Sequence, residues 1–406
     1  MKATSLPADR FQKIWLIGVS YALITMLGVY ITIYQLTILS ISQYFQLTTV
    51  SMGFLIGIQH LGMVVPPLIL GVLCAKIGKR KVIITSLTLM IIGTSLAAAS
   101  QRMWLFGIAV FFIGAGFSVS EATLSALLAD EYPDESKQHL GFSQAAFSIG
   151  ALFGPFIAQR LIKAGVYFKD LFLVCTFAFF LLLVTFFFTR NQNDKGVLPL
   201  KPITAYFKDF FGSKTLLLIG SAIFLYVGVE NTIANYADSF FKLTLALPEY
   251  SALVLGLFWG AMIPSRIIFG VLKVNLKKSF LILSSLLVLS LAGIIYFENA
   301  VMKITLFAAS GFFCGPLWPM LMDHAAKENA GSSGPAMNIM MSFAALGGAV
   351  LPFLAGMAII GQEIFTAYLI CIFAALTMLA VYAVSGNMYK NKHKIHEHGQ
   401  KDEFHN

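Results

Sequence analysis

The stretch IWLIGVSYALITMLGVYITIYQLTILSISQYFQLTTVSMGFLIGIQHLGMVVPPLILGVLCA, from Ile14 to Ala75, decides the fold, because it contains no Asp, Glu, Lys or Arg. A helix needs about 20 apolar residues to cross the hydrocarbon core of a bilayer. This stretch provides two crossings, at 14–42 and 50–75. Ten further apolar stretches follow at 82–99, 104–129, 140–163, 168–189, 215–241, 249–272, 279–297, 304–325, 335–360 and 365–385. The sequence therefore predicts twelve transmembrane spans.

The composition agrees with a protein that lies almost entirely in a membrane. Of its 406 residues, 58% are hydrophobic and 12% are charged, whereas a soluble domain has about 25% charged residues. A helix satisfies its own backbone hydrogen bonds in lipid. The alternating strands and regular turns of a barrel are absent from the sequence. We therefore predict an all-α membrane protein.

The distribution of basic residues predicts the orientation of the chain. With the N-terminal segment 1–13 in the cytoplasm, 21 Lys and Arg residues fall on the cytoplasmic side and 5 on the other. Such an excess follows the positive-inside rule. We expect both termini in the cytoplasm and the protein in the cytoplasmic (inner) membrane. The net charge of +9 is then a feature of topology, and we expect a lipid bilayer rather than a nucleic acid as its partner.

One basic stretch, RNQNDKGVLPLKPITAYFKDFFGSK at 190–214, divides the spans six and six. It is expected to be a cytoplasmic linker between an N-terminal six-helix bundle at 14–189 and a C-terminal one at 215–385. Its segment AYFKDFF has the pattern of an amphipathic helix on the membrane surface. The polar tail at 386–406 is expected to be cytoplasmic and disordered.

Short sequence fragments recur in the two halves at nearly one offset. Gly28-Val29 in the first span is echoed by Gly228-Val229 in the seventh, and Gly150-Ala151 in the fifth by Gly348-Ala349 in the eleventh. The recurrence predicts two pseudo-symmetric bundles. Such halves can rock about a shared cavity and give alternating access to the two sides of a membrane. An old duplication with no transport role is the alternative.

The loop after the second span carries a family motif. In GVLCAKIGKRK, the residues Gly71, Leu73, Gly78, Lys79 and Arg80 resemble the loop motif of the major facilitator superfamily. The resemblance implies that superfamily's twelve-helix fold and a gating or charge-pairing role for Lys79 and Arg80. Ala75 stands where the motif has an acid. This departure weakens the usual charged latch and counts against the drug-efflux branches.

Other strings resemble a narrower branch, the fucose/glucose:cation symporters. They are SEATLSALLAD at 120–130, LGFSQAAFSIGALFGP at 140–155, FLYVGVE at 224–230, GPLWPML at 315–321 and GGAVLP at 347–352. The resemblance implies a secondary active transporter that moves a small polar solute, in that branch a sugar, together with H⁺ or Na⁺. We expect a monomer that uses no cofactor beyond the coupling ion.

Two acids inside spans are the principal candidates for binding substrate or ion. A charged carboxylate at such depth is costly unless it is paired or faces water. Glu121 lies well within the fourth span, and Glu230 lies near the middle of the seventh. The resemblance assigns proton or substrate handling to Glu121 and places Glu230 where relatives keep an acid. Structural glutamates bonded to neighbouring helices are the alternative.

Amides and a histidine complete the polar candidates. Asn231 and Asn235 share a helical face with Glu230 and suit ligands rich in hydroxyl groups. Gln144 matches a glutamine common in the symporter branch, and Gln35 stands about where proton-coupled members carry an aspartate. His60 is either a proton relay or a bonded structural group.

The remaining candidates are one arginine, its partner and three aromatic residues. Arg266 in the eighth span should pair with an acid, for which Asp323 is a candidate, or contact the substrate. Trp259, Trp318 and Tyr226 can form flat walls on which a sugar ring stacks, although packing roles explain them equally well.

Two other classes of function remain open. A proton-coupled exporter of drugs or metabolites from the same superfamily would also keep acids in its cavity. A membrane-embedded enzyme has little support, because the sequence shows neither an ATP-binding Gly-rich loop nor an interfacial cluster of His with Asp or Glu. We therefore predict a transporter and not an enzyme, while a sensor that transports nothing remains an alternative.

Overall fold

A computed structural model describes residues 7–131, 136–189, 208, 211–272, 275–328, 333–360 and 363–403. Within these ranges every regular element is helical. The first half contains α1 (Pro7–Tyr44), α2 (Thr49–Ile77), α3 (Lys79–Ala99), α4 (Met103–Glu131), α5 (Ser136–Lys163) and α6 (Phe168–Phe187). The all-α prediction is confirmed.

The second half repeats this arrangement with three irregularities. It contains α7 (Lys214–Ser239), α8 (Ser251–Val271), α9 (Leu276–Tyr296), α10 (Ala300–Cys314), α11 (Leu317–Glu328), α12 (Ser333–Ala358) and α13 (Phe365–Glu403). A π-helical turn at Phe240–Thr244 extends α7, and a 3₁₀ turn at Pro248–Tyr250 precedes α8. Helices α10 and α11 together form one span, which breaks at Gly315 and Pro316.

Helix length and hydropathy support the predicted number of spans. Eleven described segments are long and apolar enough to cross a membrane, and the apolar part of α2 at Ser51–Pro66 supplies a shorter twelfth. The described helices agree with the predicted spans to within a few residues at most ends. The protein is a multi-pass membrane protein.

The expectation for the C-terminal tail needs correction, and the expectation for the central linker falls mostly on residues that the structure does not describe. The tail was expected to be disordered, but α13 continues as a helix to Glu403. It contains no proline after the predicted end of the last span, so the backbone pattern can continue into the polar sequence. Most of the 190–214 linker, including most of AYFKDFF, lies outside the described residues.

The two halves pack their helices in the same order. In the first half α1 packs on α5, α4 on both α2 and α3, and α3 on α6. In the second half the corresponding pairs are α7 with α12, α10 with both α8 and α9, and α9 with α13. The halves meet chiefly where α2 packs on α12 and α5 packs on α8. The predicted pseudo-symmetry is therefore a property of the fold.

Glycines allow the closest helix contacts in both halves. A Cβ on Gly150 would overlap the carbonyl oxygen of Thr25, and one on Gly347 would overlap the carbonyl oxygen of Phe224. Small residues permit such backbone approach between membrane helices. The sequence echo aligned Gly150 with Gly348, yet Gly347 makes the corresponding contact and Gly348 packs against the ring of His60.

The family motif forms a tight corner within the first half. Gly78 alone connects α2 to α3 and has φ +87°, a backbone conformation that favours glycine. In the next turn, Arg80 donates from Nη2 to the carbonyl oxygen of Phe187 at 2.7 Å and from Nη1 to that of Thr189. Arg80 therefore binds the carboxyl end of α6, where a cation is favoured by the helix dipole.

Candidate functional site

A cavity of about 120 Å³ lies between the two halves, and both halves form its wall. The first half contributes polar side chains from α2, α4 and α5, and the second half contributes polar side chains from α7 and α8. They are His60, Ser118, Glu121 and Gln144 on one side and Glu230, Asn231 and Arg266 on the other. The cavity has the position expected of a binding site that rocking halves expose alternately.

Arg266 joins three elements at the cavity wall. Its Nη1 donates to Ser148 Oγ across the boundary between the halves at 2.8 Å, and its Nε donates to the carbonyl oxygen of Gly315 at 3.2 Å. Its Nη2 lies 3.7 Å from Glu230 Oε1. The two charged side chains are nearly buried, with 10% and 11% of their surfaces exposed. The guanidinium is therefore fixed in position but only loosely paired.

The sequence explains why the carbonyl oxygen of Gly315 is free to accept a hydrogen bond from Arg266. In a continuous helix this oxygen would accept a hydrogen bond from the backbone N–H of the residue four positions later. That residue is Pro319, which has no N–H. The break between α10 and α11 thus presents a carbonyl dipole to a buried cation.

Glu230 has a strong partner of its own. The Tyr226 hydroxyl, one helical turn earlier on α7, donates to Glu230 Oε1 at 2.7 Å. This distance is typical of a charge-assisted hydrogen bond to a carboxylate. Tyr226 is buried behind the acid, so it orients the carboxylate instead of lining the cavity.

Glu121 lies on the wall contributed by the first half. Its carboxyl group has the Gln144 side chain as a hydrogen-bond partner and lies close enough to Arg266 and Glu230 to interact electrostatically with both. Each half thus presents one carboxylic acid to the same cavity. A fixed arginine lies on the side of the second half.

His60 and Asn231 meet across the boundary between the halves. His60 donates from Nδ1 to the carbonyl oxygen of Ile56 at 3.0 Å and has the side chain of Asn231 as a second partner. Asn231 in turn donates from Nδ2 to the carbonyl oxygen of Val227 at 3.0 Å. Both side chains line the cavity.

Two tryptophans form aromatic walls. Trp259 Nε1 donates to Gln35 Oε1 in the other half at 3.1 Å, and its ring meets Phe147 edge to face at 5.9 Å. The Trp318 ring lies 6.1 Å from that of Tyr226. The first half therefore contributes one polar and one aromatic contact that hold Trp259 in place.

The structure brings together most, but not all, of the residues chosen from the sequence. Seven of the ten candidate ligands line the cavity: Glu121, Glu230, Asn231, Gln144, His60, Trp259 and Trp318. Tyr226 lies behind Glu230. Gln35 is fully buried at Trp259, and Asn235 is 1% exposed one turn along α7 from Asn231. These three side chains do not line the cavity.

Arg266 has an acid beside it, but that acid is not the candidate Asp323. The acid beside Arg266 is Glu230, whereas Asp323 lies near Tyr382. Helical spacing could not separate these options, because the sequence does not show which helix packs against α8 at the depth of Arg266. Sequence reasoning also missed Ser148, Ser118 and the apolar wall residues Met63 and Met341, which carry no charge or motif that would identify them.

Within the described ranges, no group of three or more His, Cys, Asp or Glu side chains has the arrangement of a metal site. The functional groups at the cavity are thus two carboxylic acids, one guanidinium, amides, a histidine and aromatic rings. Such groups bind and release protons and small polar molecules.

Two six-helix halves around a shared polar cavity define a secondary transporter of small solutes. Residues 19–333 match the Major Facilitator Superfamily, and the chain belongs to this family. It is 25% identical over 284 residues to the cis,cis-muconate transport protein of Acinetobacter baylyi, covering 66% of this chain and 68% of the relative. It is 22% identical to a TsgA homolog of Buchnera aphidicola, covering 91% and 98% of the two chains.

Solved structures show the same fold. The E. coli fucose:proton symporter FucP superposes with a TM-score of 0.65 at 17% identity, over 91% of this chain and 98% of that one. The nucleoside transporter NupG superposes with a TM-score of 0.73 at 13% identity, over 92% and 99%. At such identities the likeness concerns the fold alone.

Proposed function

We propose that this protein is a symporter that carries a small polar solute across the cytoplasmic membrane together with a proton. Sugars are the first class to test, because the sequence resembles the fucose/glucose symporter branch and a fucose:proton symporter shares the fold. The observation that carries the proposal is the placement of Glu121 and Glu230 in separate halves, facing one cavity.

The charges of the cavity suggest how a proton is coupled to transport. Arg266 offsets Glu230, which leaves Glu121 as the acid without a cationic partner of its own among the described residues. Moving an isolated charge through a low-dielectric protein is costly. One proton on either of the two acids makes the cavity neutral, so the halves can rock with a bound solute that has no net charge. Driving force then comes from the proton gradient and the membrane potential, about 2.3 kcal/mol per charge for each 100 mV.

Packing between the halves supports a state that is closed toward the outside. At the end of α2 predicted to face outward, a Cβ on Gly53 would lie 3.1 Å from Phe353 Cα. At the corresponding end of α8, one on Gly256 would lie 2.6 Å from the Phe156 ring. Access from outside requires these contacts to separate.

Counterflow in proteoliposomes tests the proposal. Purified protein should exchange at least one member of a panel of labelled small polar solutes, with sugars tested first, and a pH gradient should drive accumulation of that solute more strongly than a Na⁺ gradient. Accumulation that follows only Na⁺ would assign the coupling to Na⁺ instead of H⁺. If no member of a broad panel of solutes exchanges while the protein remains folded, the proposed symport is refuted.

A further inference from the structure

We infer that the solute is a small zwitterion, such as an α-amino acid with an apolar side chain, whose carboxylate binds Arg266 and whose ammonium group binds Glu121. The inference rests on the proposed function, since it names the substrate class of the same cavity. It replaces the sugar with a molecule that carries one charge of each sign.

Arg266 has hydrogen-bond donors to spare. A guanidinium carries five N–H donors in a planar fork. Its Nε and Nη1 are bonded to Gly315 and Ser148, but the nearest acidic oxygen to Nη2 lies at 3.7 Å, beyond hydrogen-bonding distance. No other acceptor among the described residues is bonded to the fork. A carboxylate is the group that accepts two such N–H bonds at once.

Glu230 is held away from these donors. Its Oε1 already accepts from the Tyr226 hydroxyl at 2.7 Å on the same helix. The acid thus balances the charge of Arg266 without occupying the fork. A ligand carboxylate can therefore bind there without displacing Glu230.

The opposite wall supplies the complementary charge. Glu121 comes from α4 in the other half, with Gln144 beside it. A simple organic acid would add a third negative charge to two glutamates and one arginine, which is unfavourable. A zwitterion adds no net charge and places each pole opposite its complement, which is the arrangement that electrostatic complementarity favours.

The apolar part of the wall suits an apolar side chain. Met63, Phe117, Phe147, Val227 and Met341 line it. Hexoses carry hydroxyl groups around the ring, and each buried hydroxyl without a partner weakens binding. The cavity of about 120 Å³ is also smaller than the range of roughly 300–1,000 Å³ for sites of drug-sized ligands. Both properties favour a compact molecule with one polar end.

A zwitterion bound in this way would also tie the halves together. Arg266 belongs to α8 and Glu121 to α4, so the two poles of one ligand would contact both rocking bodies. Binding energy would then be realised only when the halves close around the ligand, which is what coupling of binding to movement requires.

The experiment is counterflow with the full-length protein in proteoliposomes. Each of the common L-amino acids, and in parallel a set of hexoses and 6-deoxyhexoses, is tested for exchange. For the amino acid that exchanges best, two matched competitors follow: its amide, which lacks the carboxylate, and the acid that lacks the amino group. We expect both to compete at least about tenfold more weakly, as loss of a charge-assisted hydrogen bond predicts.

Variants of Arg266 test whether this residue binds the carboxylate of the solute. Arg266→Lys keeps the charge but loses the fork, so the apparent affinity for the amino acid should fall about tenfold. If that variant fails to fold, Arg266→Gln combined with Glu230→Gln removes the ion pair without leaving a buried charge. This double variant should no longer distinguish the amino acid from its amide.

The outcomes separate the two proposals. Exchange of hexoses without exchange of any amino acid overturns the zwitterion and leaves symport intact, whereas failure of every solute in the broad panel to exchange with the folded protein overturns both. Exchange of an amino acid and its amide with equal affinity by the unmodified protein overturns the role given to Arg266.

Discussion

The ion pair between Arg266 and Glu230 gives the sharpest test of the cavity's energetics. Their closest atoms are 3.7 Å apart and both side chains are nearly buried. With an effective dielectric constant of about 20, two unit charges at this separation attract by about 4–5 kcal/mol. Removing one partner of a buried pair costs about 3–5 kcal/mol, because it leaves an uncompensated charge.

The perturbation is a double-mutant cycle. We expect Arg266→Gln and Glu230→Gln each to lower the free energy of unfolding by about 3 kcal/mol. The double variant should be more stable than the sum of the two losses predicts, by about 2 kcal/mol or more, because contacting residues couple on this scale. Part of the stability lost in Arg266→Gln comes from the hydrogen bonds to Ser148 and Gly315. This part is the same in the single and double variants and does not contribute to the coupling.

The assay is equilibrium unfolding in mixed micelles with increasing denaturing detergent, followed by tryptophan fluorescence. All four proteins are compared at one pH and one salt concentration. Strictly additive losses would refute the reasoning, since they would mean that the two side chains do not interact in the folded protein.

Three further outcomes are expected. Glu121→Gln should abolish uphill accumulation of the transported solute in proteoliposomes yet leave part of its exchange, and unchanged accumulation would remove Glu121 from the coupling. Gly150→Ala should destabilise the protein by about 1–3 kcal/mol through overpacking, whereas Gly141→Ala on the same helix has open space and should be neutral or stabilising; equal melting temperatures would contradict this contrast. Trp259→Phe should cost about 1 kcal/mol of stability and leave Gln35 without its partner, and a variant as stable as the parent protein would show that the bond contributes nothing.

The number and type of elements could be predicted from the sequence because transfer of apolar side chains into lipid is a local property. The run without charges from Ile14 to Ala75 leaves no soluble alternative. The break at Gly315 and the helical tail to Glu403 were not predicted, because hydropathy reports burial in lipid and not the continuity of the backbone.

Physical cost alone identified the candidate site most directly where a residue is unfavourable in lipid. Glu121 and Arg266 stand out for that reason, and both line the cavity. Whether Glu230 or Asp323 lies beside Arg266 depends on the relative position of the helices along the membrane normal. A single sequence does not contain this information. The bond between Gln35 and Trp259 joins residues 224 positions apart, and neutral Ser148 gives no signal at all.

The carbonyl group of Gly315 makes the position of a charged side chain depend on a missing backbone hydrogen. An alanine at Pro319 would restore that hydrogen and recruit the oxygen into the helix, so Arg266 would lose an anchor although no atom of the pocket had been replaced. A substitution in the main chain of a neighbouring span can thus change which solute is preferred. A mutational scan limited to side chains that face the pocket would miss it.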